Sequence, residues 1–227
     1  MSTTLCTQFE MPEAVFFDLD GTLADTAPDL ASALNRLRTE ENEEPLPESV
    51  LRPWTSNGVA GMLWAGFSIS RQDSAFPRLA SRFLALYEQS LCERTRLFEG
   101  MPGVLRELEC RAIRWGVVTN KSIRLTRPLL AALDLDRRAS AIVGGDSAAA
   151  PKPAPDPLFL ACSLAAVSAP RCIYVGDHER DIVAGKAAGM QTVAASYGYL
   201  SENCRISDWG ADAVISCPLD LLELLGA

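Results

Sequence analysis

The chain has 227 residues, a formal net charge of −8, seven cysteines and one histidine. This length suits one large domain or a core with a smaller second domain, and 48% hydrophobic with 22% charged residues is typical of a globular protein. The acidic excess argues against a nucleic-acid partner, no apolar run approaches the length of a membrane span, and a single histidine excludes a multi-histidine metal centre.

The N-terminal residues and the cysteines bear on the cellular compartment. The sequence MSTTLCTQFE lacks the basic start and the apolar stretch of a secretion signal, so we expect a cytoplasmic protein. The cysteines are scattered, odd in number and without a C-x-x-C pair, which predicts buried, reduced thiols rather than a disulfide framework or a zinc site. They are Cys6, Cys92, Cys110, Cys162, Cys172, Cys204 and Cys217.

The first predicted strand, at residues 14–18, is a continuous apolar run that ends in a carboxylate. Continuous rather than alternating apolarity is typical of a strand that is covered on both faces, as in a parallel sheet. The first strand therefore predicts a sheet with helices on both sides.

Residues 24–97 contain no strand-like run and are predicted as helices at 28–41, 57–67 and 73–93, with a proline-rich break at 44–53. Such a stretch is too long for a simple crossover between strands. It predicts a helical cap domain, 24–97, inserted into a core formed by residues 1–23 and 98–227. We expect the cap to lie as a lid over the carboxyl ends of the strands, where ligands bind in α/β folds.

After this helical stretch, strands and helices alternate to the end of the chain. Such alternation predicts an α/β fold with a doubly wound, Rossmann-like parallel sheet. The predicted strands are 116–120, 141–145, 172–177, 192–196 and 211–216, and the predicted helices are 102–112, 122–133, 157–167 and 179–189.

Polar side chains follow four of the predicted strands. Because the carboxyl ends of parallel strands meet at one edge of a sheet, we expect these side chains to lie together. Four carboxylates in a small volume need a cation to stay ionised, and oxygen ligands without histidine or cysteine favour Mg²⁺ where phosphate also binds. A threonine and a lysine supply donors for phosphate, so the sequence predicts a site for Mg²⁺ and a phosphoryl group, with an aspartate available as nucleophile. The residues are Asp18 and Asp20 after the first strand, Thr119, Asn120 and Lys121 after the second, Lys152 between two prolines after the third, and Asp177 and Asp181 after the fourth.

These motifs, in this order, resemble the four motifs of the haloacid dehalogenase-like (HAD) phosphatases. They are DLDGT at 18–22, TN at 119–120, KP at 152–153 and GDxxxD at 176–181. The resemblance covers nearly the whole chain from residue 14 onward, including a helical cap inserted after the first motif. It implies an Mg²⁺-dependent enzyme that acts on a small phosphorylated metabolite.

The resemblance also implies a role for each matching residue. Asp18 would be the nucleophile that forms an aspartyl-phosphate, and Asp20 would be the general acid and later the general base. Thr119, Asn120 and Lys152 would bind the phosphoryl group. An acid at the position of Asp20 is typical of phosphatases and mutases in this family rather than of dehalogenases. The implied metal ligands are Asp18, Asp20 through its backbone carbonyl, Asp177 and Asp181.

Further segments resemble the phosphoglycolate phosphatase-like branch and, within it, the N-acetylmuramic acid 6-phosphate phosphatases of peptidoglycan recycling. They are FEGM at 98–101, WGVVTNK at 115–121, YGY at 197–199 and WGAD at 209–212. The cap stretch at 52–62 departs from that group's S-G-G-A-R-A-M pattern, with Asn57 in place of a glycine and no arginine at 60 or 61. The resemblance implies N-acetylmuramic acid 6-phosphate as the leading substrate, with 2-phosphoglycolate as the alternative.

Other interpretations stay open from the sequence. A sugar phosphomutase would use the same aspartyl-phosphate, and a non-catalytic protein could keep the same fold. Arg52, Trp54, Ser56 and Asn57 of the cap could contact the substrate or could serve as helix caps and packing residues. For His178, a position at the surface or behind the metal ligands is favoured over direct ligation. We expect no nucleic acid or membrane as partner, and a monomer or weak homodimer.

Overall fold

The computed structural model describes residues 9–201 and 204–226, so Cys6 and most of the N-terminal sequence considered above lie outside the described residues. In chain order the strands are β1 (Ala14–Phe17), β2 (Ala24–Asp25), β3 (Arg96–Leu97), β4 (Arg114–Val118), β5 (Ala141–Val143), β6 (Cys172–Gly176), β7 (Gln191–Ala195) and β8 (Ala213–Ile215). The α-helices are α1 (Ala27–Glu40), α2 (Glu48–Leu51), α3 (Gly58–Phe67), α4 (Phe76–Gln89), α5 (Met101–Cys110), α6 (Ile123–Ala132), α7 (Asp156–Ala165), α8 (Glu179–Ala187) and α9 (Asp220–Leu224).

Six strands form one sheet in the order β5-β4-β1-β6-β7-β8, and each neighbouring pair is parallel. The central strand β1 is buried along its whole length, as its continuous apolar sequence predicts. Its side chains alternate between two hydrophobic clusters: Val15 and Phe17 belong to one with Leu105 of α5, and Phe16 to another with Leu158 of α7. The predicted α/β, Rossmann-like fold is confirmed.

The helices between β2 and β3 form a third hydrophobic cluster. Met62 and Leu63 of α3 are fully buried in it, together with Phe83 of α4, and Phe67 packs against it. Leu125 of α6 also belongs to this cluster, so the helical segment contacts the rest of the chain through apolar packing. The division of the chain into a core and an inserted cap stays a prediction that this packing supports.

Two features of the helical segment differ from the sequence-based prediction. Residues 24–97 were expected to contain no strand, but β2 and β3 pair in antiparallel fashion, with Ala24 opposite Leu97. Strands of two residues are too short to leave a hydrophobic pattern. The proline-rich break at 44–53 contains α2, which continues into a 3₁₀ helix (Arg52–Asn57), because proline is tolerated in the first turn of a helix.

Helix α4 is shorter at both ends than the predicted 73–93. Before the helix, the carboxylate of Asp73 accepts hydrogen bonds from the N–H (2.6 Å) and the hydroxyl (2.8 Å) of Ser70, which closes a turn. After the helix, the carboxylate of Asp29 in α1 accepts hydrogen bonds from the N–H groups of Arg94 and Thr95. These two N–H groups are therefore not available to continue the helix. The other predicted helices and the six strands of the sheet agree with the structure within two residues at each end.

The described cysteines are free thiols, as expected, but only Cys162 and Cys172 are buried. The prediction of buried thiols is wrong for the others, which lie between the helices and strands or at their ends; Cys110, for example, is the exposed last residue of α5. Within the described part of the chain, no helix has both the length and the apolar character that crossing a membrane requires. The half-buried cysteines are Cys92, Cys204 and Cys217.

Candidate active site

Three carboxylates converge at the carboxyl edge of the sheet. Asp18 directly follows β1, Asp177 directly follows β6, and Asp181 lies in the first turn of α8. All three residues are buried, and one oxygen of each lies within 4.8 Å of the others. The convergence follows from the parallel register of β1 and β6, which aligns Phe17 with Val175 and so brings the two strand ends together.

The ammonium of Lys152 lies between two of these carboxylates. Its Nζ is 3.1 Å from Asp18 Oδ1 and 2.7 Å from Asp181 Oδ1, and the side chains of Lys152 and Asp181 are completely buried. Nζ also donates to the carbonyl of Val118 (2.9 Å) and to the hydroxyl of Tyr174 (2.6 Å). A buried charge with this many partners is held in one position.

The pKa values of the two carboxylates beside Lys152 shift in opposite directions. Burial opposes ionisation of Asp18, but the charges of Lys152 and Arg180 outweigh it and hold the pKa of Asp18 below its usual value. For Asp181, burial dominates over the charge of Lys152 and raises its pKa. Asp18 is therefore the more readily ionised of the pair.

Thr119 and Asn120 follow β4 and lie beside the lysine loop. Both hydrogen-bonding groups of the Asn120 amide contact the backbone of Lys152: Nδ2 donates to its carbonyl (2.9 Å), and Oδ1 accepts from its N–H (3.0 Å). The buried Thr119 hydroxyl accepts from the N–H of Lys121 at 3.2 Å. The structure thus gives Asn120 a role in holding the loop, and the contacts of Thr119 and Asn120 with phosphate stay predictions.

Asp177 carries a buried oxygen that lacks a hydrogen-bond donor. Its Oδ2 accepts from the Ser56 hydroxyl (2.8 Å) and from the N–H of Tyr199 (2.9 Å), whereas Oδ1 has no partner within residues 9–201 and 204–226. Burial, and then the charges of Asp18 and Asp181, raise the pKa of Asp177 to about 7. An unsatisfied buried oxygen beside two further carboxylates fits a hard divalent cation.

Asp20 stands outside the group of three carboxylates and has its own partners. Its Oδ1 accepts from the hydroxyl of Thr26 at 2.5 Å and from the ammonium of Lys121 at 2.6 Å. Burial alone would lower the pKa of Lys121, but the charge of Asp20 outweighs burial and raises it. The second carboxylate of the DLDGT motif is therefore held by a lysine different from the one beside Asp18.

Two glycines allow the backbone to approach Asp177 closely. Gly21 has a φ of +84°, and a Cβ at this position would lie 2.0 Å from Asp177 Oδ2. A Cβ at Gly198 would lie 2.3 Å from the Cβ of Asp177. The loops after β1 and β7 therefore pack against this carboxylate in a way that no other residue type permits.

The start of α8 positions Asp181 through a capping box. Asp181 Oδ2 accepts from the N–H of His178 (3.1 Å), and His178 Nδ1 accepts from the N–H of Arg180 (3.3 Å). Burial, and then the charge of Arg180, lower the pKa of His178 to about 4, which keeps the imidazole neutral as a cap. Asp177 precedes α8, so it does not share a helical face with Asp181. The capping box at the start of α8 brings the two carboxylates together.

Ser56 is the one predicted cap residue whose side chain reaches the carboxylates. Its hydroxyl donates to Asp177 Oδ2 at 2.8 Å, and its backbone carbonyl accepts a hydrogen bond from the guanidinium of Arg180. Two contacts from one residue therefore join the 3₁₀ helix of the helical segment to the carboxyl edge of the sheet, where the three carboxylates lie.

The other cap candidates lie farther out. Arg52 donates to the carboxylate of Asp25 at 2.9 Å, and its guanidinium lies 5.0 Å from the centre of the Tyr199 ring. Trp54 and Asn57 line a cleft of about 920 Å³ that reaches inward to Asp177. On the side of the core, this cleft is lined by His178, Arg205 and Trp209.

Sequence reasoning missed Tyr199 as a site residue. Its hydroxyl accepts from the N–H groups of Thr26 (2.6 Å) and Ala27 (2.9 Å) and donates to Asp25 Oδ1 (2.7 Å), while its own N–H donates to Asp177. Tyr199 thus links the start of α1 to the carboxylate cluster. The available signal was its place in the YGY segment shortly after β7.

Comparison with known proteins agrees with this geometry. The haloacid dehalogenase-like hydrolase family matches residues 15–195. The chain is 35% identical over 213 residues to the N-acetylmuramic acid 6-phosphate phosphatase of Pseudomonas aeruginosa, covering 94% of each chain. It is 40% identical over 212 residues to the phosphoglycolate phosphatase of Xanthomonas campestris pv. campestris, covering 93% of this chain and 96% of the relative.

A solved structure shows the same fold over most of the chain. It is described as a predicted phosphoglycolate phosphatase from Haemophilus somnus, and it superposes with a TM-score of 0.82 at 28% identity. The superposition covers 94% of this chain and 98% of the other. The chain therefore belongs to the haloacid dehalogenase-like hydrolases, in their phosphatase group.

Proposed function

We propose that the chain is an Mg²⁺-dependent phosphomonoester hydrolase that works through an aspartyl-phosphate on Asp18. The observation that carries the proposal is the unequal environment of the two Asp18 oxygens. Oδ1 accepts from the N–H of Leu19 at 2.7 Å and faces Lys152 at 3.1 Å, whereas Oδ2 forms no hydrogen bond with any other described residue. One oxygen is fixed and the other is free to attack, on a carboxylate whose lowered pKa favours the ionised form.

In the first proposed step, Asp18 Oδ2 attacks phosphorus, a new P–O bond forms, and the ester P–O bond breaks. The leaving oxygen takes a proton from Asp20. In the second step, water attacks the phosphorus of the aspartyl-phosphate while Asp20 accepts its proton, and inorganic phosphate leaves as Asp18 is restored. Thr119 and Lys152 would hold the phosphoryl oxygens, and the charge of Lys152 would offset the charge that develops on them.

The metal would be held by an all-oxygen set. We assign to it Asp18, Asp177, Asp181 and the backbone carbonyl of Asp20, on the evidence of the unsatisfied Asp177 Oδ1 and the clustered carboxylates. Mg²⁺, when bound, supplies positive charge that lets the carboxylates and a phosphoryl group share one small volume. Removal of the metal with EDTA should abolish phosphate release and added Mg²⁺ should restore it, whereas retained activity would contradict the assignment.

Residues 24–97 would serve as a cap that excludes water and selects the leaving group. The contact of Ser56 with Asp177 supports this, because it brings the helical segment onto the carboxylates. Trp54 and Asn57 would contact the leaving group from the wall of the cleft, and Arg52 would position Tyr199.

The leading substrate is N-acetylmuramic acid 6-phosphate, with 2-phosphoglycolate as the alternative. The relative from Pseudomonas aeruginosa supports the first and the relative from Xanthomonas campestris the second. A cleft of about 920 Å³ lined by Trp54 and Trp209 favours a ligand of the size of a sugar. A phosphate-release panel of both esters and common hexose phosphates decides between them.

Asp18→Asn tests the nucleophile. We expect phosphate release to fall by at least about 10³-fold, because the amide cannot form the covalent intermediate. Asp136→Asn, a change of the same kind at an exposed position, is the matched control and should stay at the wild-type rate. Unchanged activity in Asp18→Asn would overturn the proposal, and isomer formation in excess of phosphate release would indicate a phosphomutase.

A further inference from the structure

Arg180, in the first turn of α8, carries a buried hydrogen-bond donor that has no acceptor. The residue is half-buried, and its Nε–H finds no partner anywhere in residues 9–201 and 204–226. A guanidinium has five N–H donors, and the one hydrogen bond that Arg180 forms with these residues runs from Nη2 to the backbone carbonyl of Ser56. No carboxylate of the described chain forms an ion pair with it.

The guanidinium lies at the junction between the cleft and the carboxylates. The preceding residue, Glu179, lines the cleft, and the following residue, Asp181, belongs to the carboxylate cluster. Ser56, whose carbonyl accepts from Arg180, donates its hydroxyl to Asp177 at 2.8 Å. Arg180 is therefore placed where a phosphate ester that enters through the cleft would meet the carboxylates.

Stability alone does not explain an arginine at this position. The N-terminus of a helix carries partial positive charge, so a cation in the first turn of α8 is unfavourable, whereas Lys186 in the last turn lies at the favoured end. A buried N–H without an acceptor costs further free energy. A cation at the unfavourable end of a helix, with a buried donor unspent, indicates an anionic ligand.

The ammonium of Lys152 has fewer hydrogen bonds to offer to such a ligand. It carries three N–H groups and already lies within 3.1 Å of four oxygens, which belong to the Asp18 and Asp181 carboxylates, the Val118 carbonyl and the Tyr174 hydroxyl. A phosphoryl oxygen that bound Lys152 would have to displace one of them. Arg180 helps Lys152 to lower the pKa of Asp18 against the effect of burial, and its own N–H groups are unspent.

We infer that Arg180 is a catalytic residue that binds two oxygens of the transferring phosphoryl group, through its Nε–H and one further N–H. The inference rests on the proposed function, because that function brings a phosphate ester to Asp18. Neighbouring N–H groups of a guanidinium form a planar fork that matches two phosphoryl oxygens. The fork also stabilises the charge on these oxygens while the phosphoryl group is transferred.

The experiment measures phosphate release, and its inhibition by inorganic phosphate, in Arg180→Gln. We expect kcat/KM to fall by about 10²- to 10³-fold, as when one preorganised donor to a transition state is removed. The inhibition constant of inorganic phosphate should rise by about 10- to 100-fold, because a charge-assisted contact with the bound anion is lost. Arg180→Lys keeps the charge without the fork and should recover only part of the loss.

The loss should be equal for all esters that the wild type hydrolyses, because they share the phosphoryl group. The esters to compare are 2-phosphoglycolate, N-acetylmuramic acid 6-phosphate and glucose 6-phosphate, which differ in the leaving alcohol. A loss confined to one ester, with the inhibition constant of inorganic phosphate unchanged, would place Arg180 at the leaving alcohol and overturn the inference.

Thermal unfolding with and without inorganic phosphate separates this role from a purely structural one. If Arg180 only tied Ser56 to α8, Arg180→Gln would lower the Tm of the free protein and leave the phosphate-induced rise in Tm unchanged, which would overturn the inference. We expect instead that the phosphate-induced rise shrinks towards zero. If Arg180→Gln shows no cooperative unfolding, Arg180→Lys decides: a raised inhibition constant supports the inference and an unchanged one contradicts it.

Arg106→Gln, the same change at an exposed position of α5, is the matched control. Its rates, its inhibition by inorganic phosphate and its phosphate-induced rise in Tm should stay at wild-type values. Equal losses in Arg106→Gln and Arg180→Gln would overturn the inference, because they would show that the effect is not specific to the site.

The outcome is separable from that of the proposed function. Wild-type rates and inhibition in Arg180→Gln, together with loss of activity in Asp18→Asn, would leave the phosphatase intact and remove Arg180 from its phosphoryl site. Activity retained in Asp18→Asn would overturn the proposed nucleophile, whatever the behaviour of Arg180→Gln.

Discussion

The carboxyl edge of the sheet and the surface of the helical segment use charged residues in opposite ways. At the sheet edge, Lys152 and Asp181 form an ion pair of 2.7 Å with both side chains completely buried. On the helical segment, Arg82 pairs with Glu40 at 2.6 Å, but the two side chains are 45% and 40% exposed. Exposed pairs contribute little and are easily replaced, whereas a buried charge that loses its partner is costly.

This difference in burial predicts which charged residues can be substituted without disturbing the site. The buried charges at the sheet edge depend on one another, so substituting any one of them disturbs the others. The helical segment reaches the site through few side chains, chiefly Ser56 and Tyr87, and most of its charges lie in solvent. We therefore expect substitutions of its exposed charges to leave the sheet edge unchanged.

The substitution Lys152→Met should have the largest effect, because it removes the central charge at the sheet edge. It leaves Asp18 and Asp181 buried without their shared cation, so we expect the free energy of unfolding to fall by about 3–5 kcal/mol. Phosphate release should drop by at least about 10²- to 10³-fold, because the proposed donor to the phosphoryl group is lost. Urea denaturation and a phosphate-release assay measure the two effects.

Arg82→Ala on the helical segment is the control for that experiment. Its partner Glu40 remains solvated, so stability and activity should both stay at wild-type values. Equal behaviour of the two variants would show that the buried and exposed ion pairs do not differ as described.

A second prediction concerns pH and metal at the sheet edge. The pKa of Asp177 is raised from 3.8 to about 7, so between these values the folded chain keeps a proton that the unfolded chain has lost. Without Mg²⁺, this residue should therefore reduce stability progressively as pH rises from about 4 to about 7, with the full reduction present above about pH 7. In the proposed site bound Mg²⁺ would supply the missing counter-charge, so its stabilising effect should grow over the same window.

Thermal unfolding with Mg²⁺ or EDTA at several pH values between 5 and 8 measures this effect. At about 2–4 °C per kcal/mol for a chain of this size, the Mg²⁺-dependent rise in Tm should reach several degrees at pH 8. In Asp177→Asn both the pH dependence and the response to Mg²⁺ should flatten. A response to Mg²⁺ that is the same at every pH would contradict the prediction.

The smallest expected effect on stability concerns Tyr199, at the contact between the helical segment and the carboxyl edge of the sheet. Tyr199→Phe removes the hydroxyl that accepts from the N–H groups of Thr26 and Ala27, and the two buried donors lose their partner. We expect a loss of about 1–3 kcal/mol in the free energy of unfolding, measured by urea denaturation. Tyr197→Phe loses one bond to the carbonyl of Thr22 and is the matched comparison; an equal loss there would argue against a special role of Tyr199.

The parts of the fold that were predictable depend on local patterns. The buried strand β1 is a continuous apolar run, and Asp18 follows it directly, so parallel pairing alone places this carboxylate beside Asp177. Lys152 stood out because it is flanked by two prolines. These features need only strand direction and residue type.

The unpredicted parts depend on partners that are distant in the sequence. The Tyr199 hydroxyl meets the N–H of Thr26, 173 residues away, and Ser56 meets Asp177, 121 residues away. The amide of Asn120 contacts the backbone of Lys152, 32 residues away, rather than standing free. Tertiary packing decides such contacts, and no local pattern reports them.

The pairing of β2 with β3 has a consequence for how this enzyme could diversify. Asp25 of β2 lies opposite Arg96 of β3 in a separate two-stranded sheet, so the helical segment begins and ends at adjacent positions, about 4.8 Å apart for neighbouring strands. Because the 70 residues between them start and end at one place, we expect a segment of another length with the same two ends to leave the register of the large sheet unchanged. A gene that recombines at this junction would keep Asp18, Lys152, Asp177 and Asp181 and acquire a different segment in place of Ser56 and its neighbours.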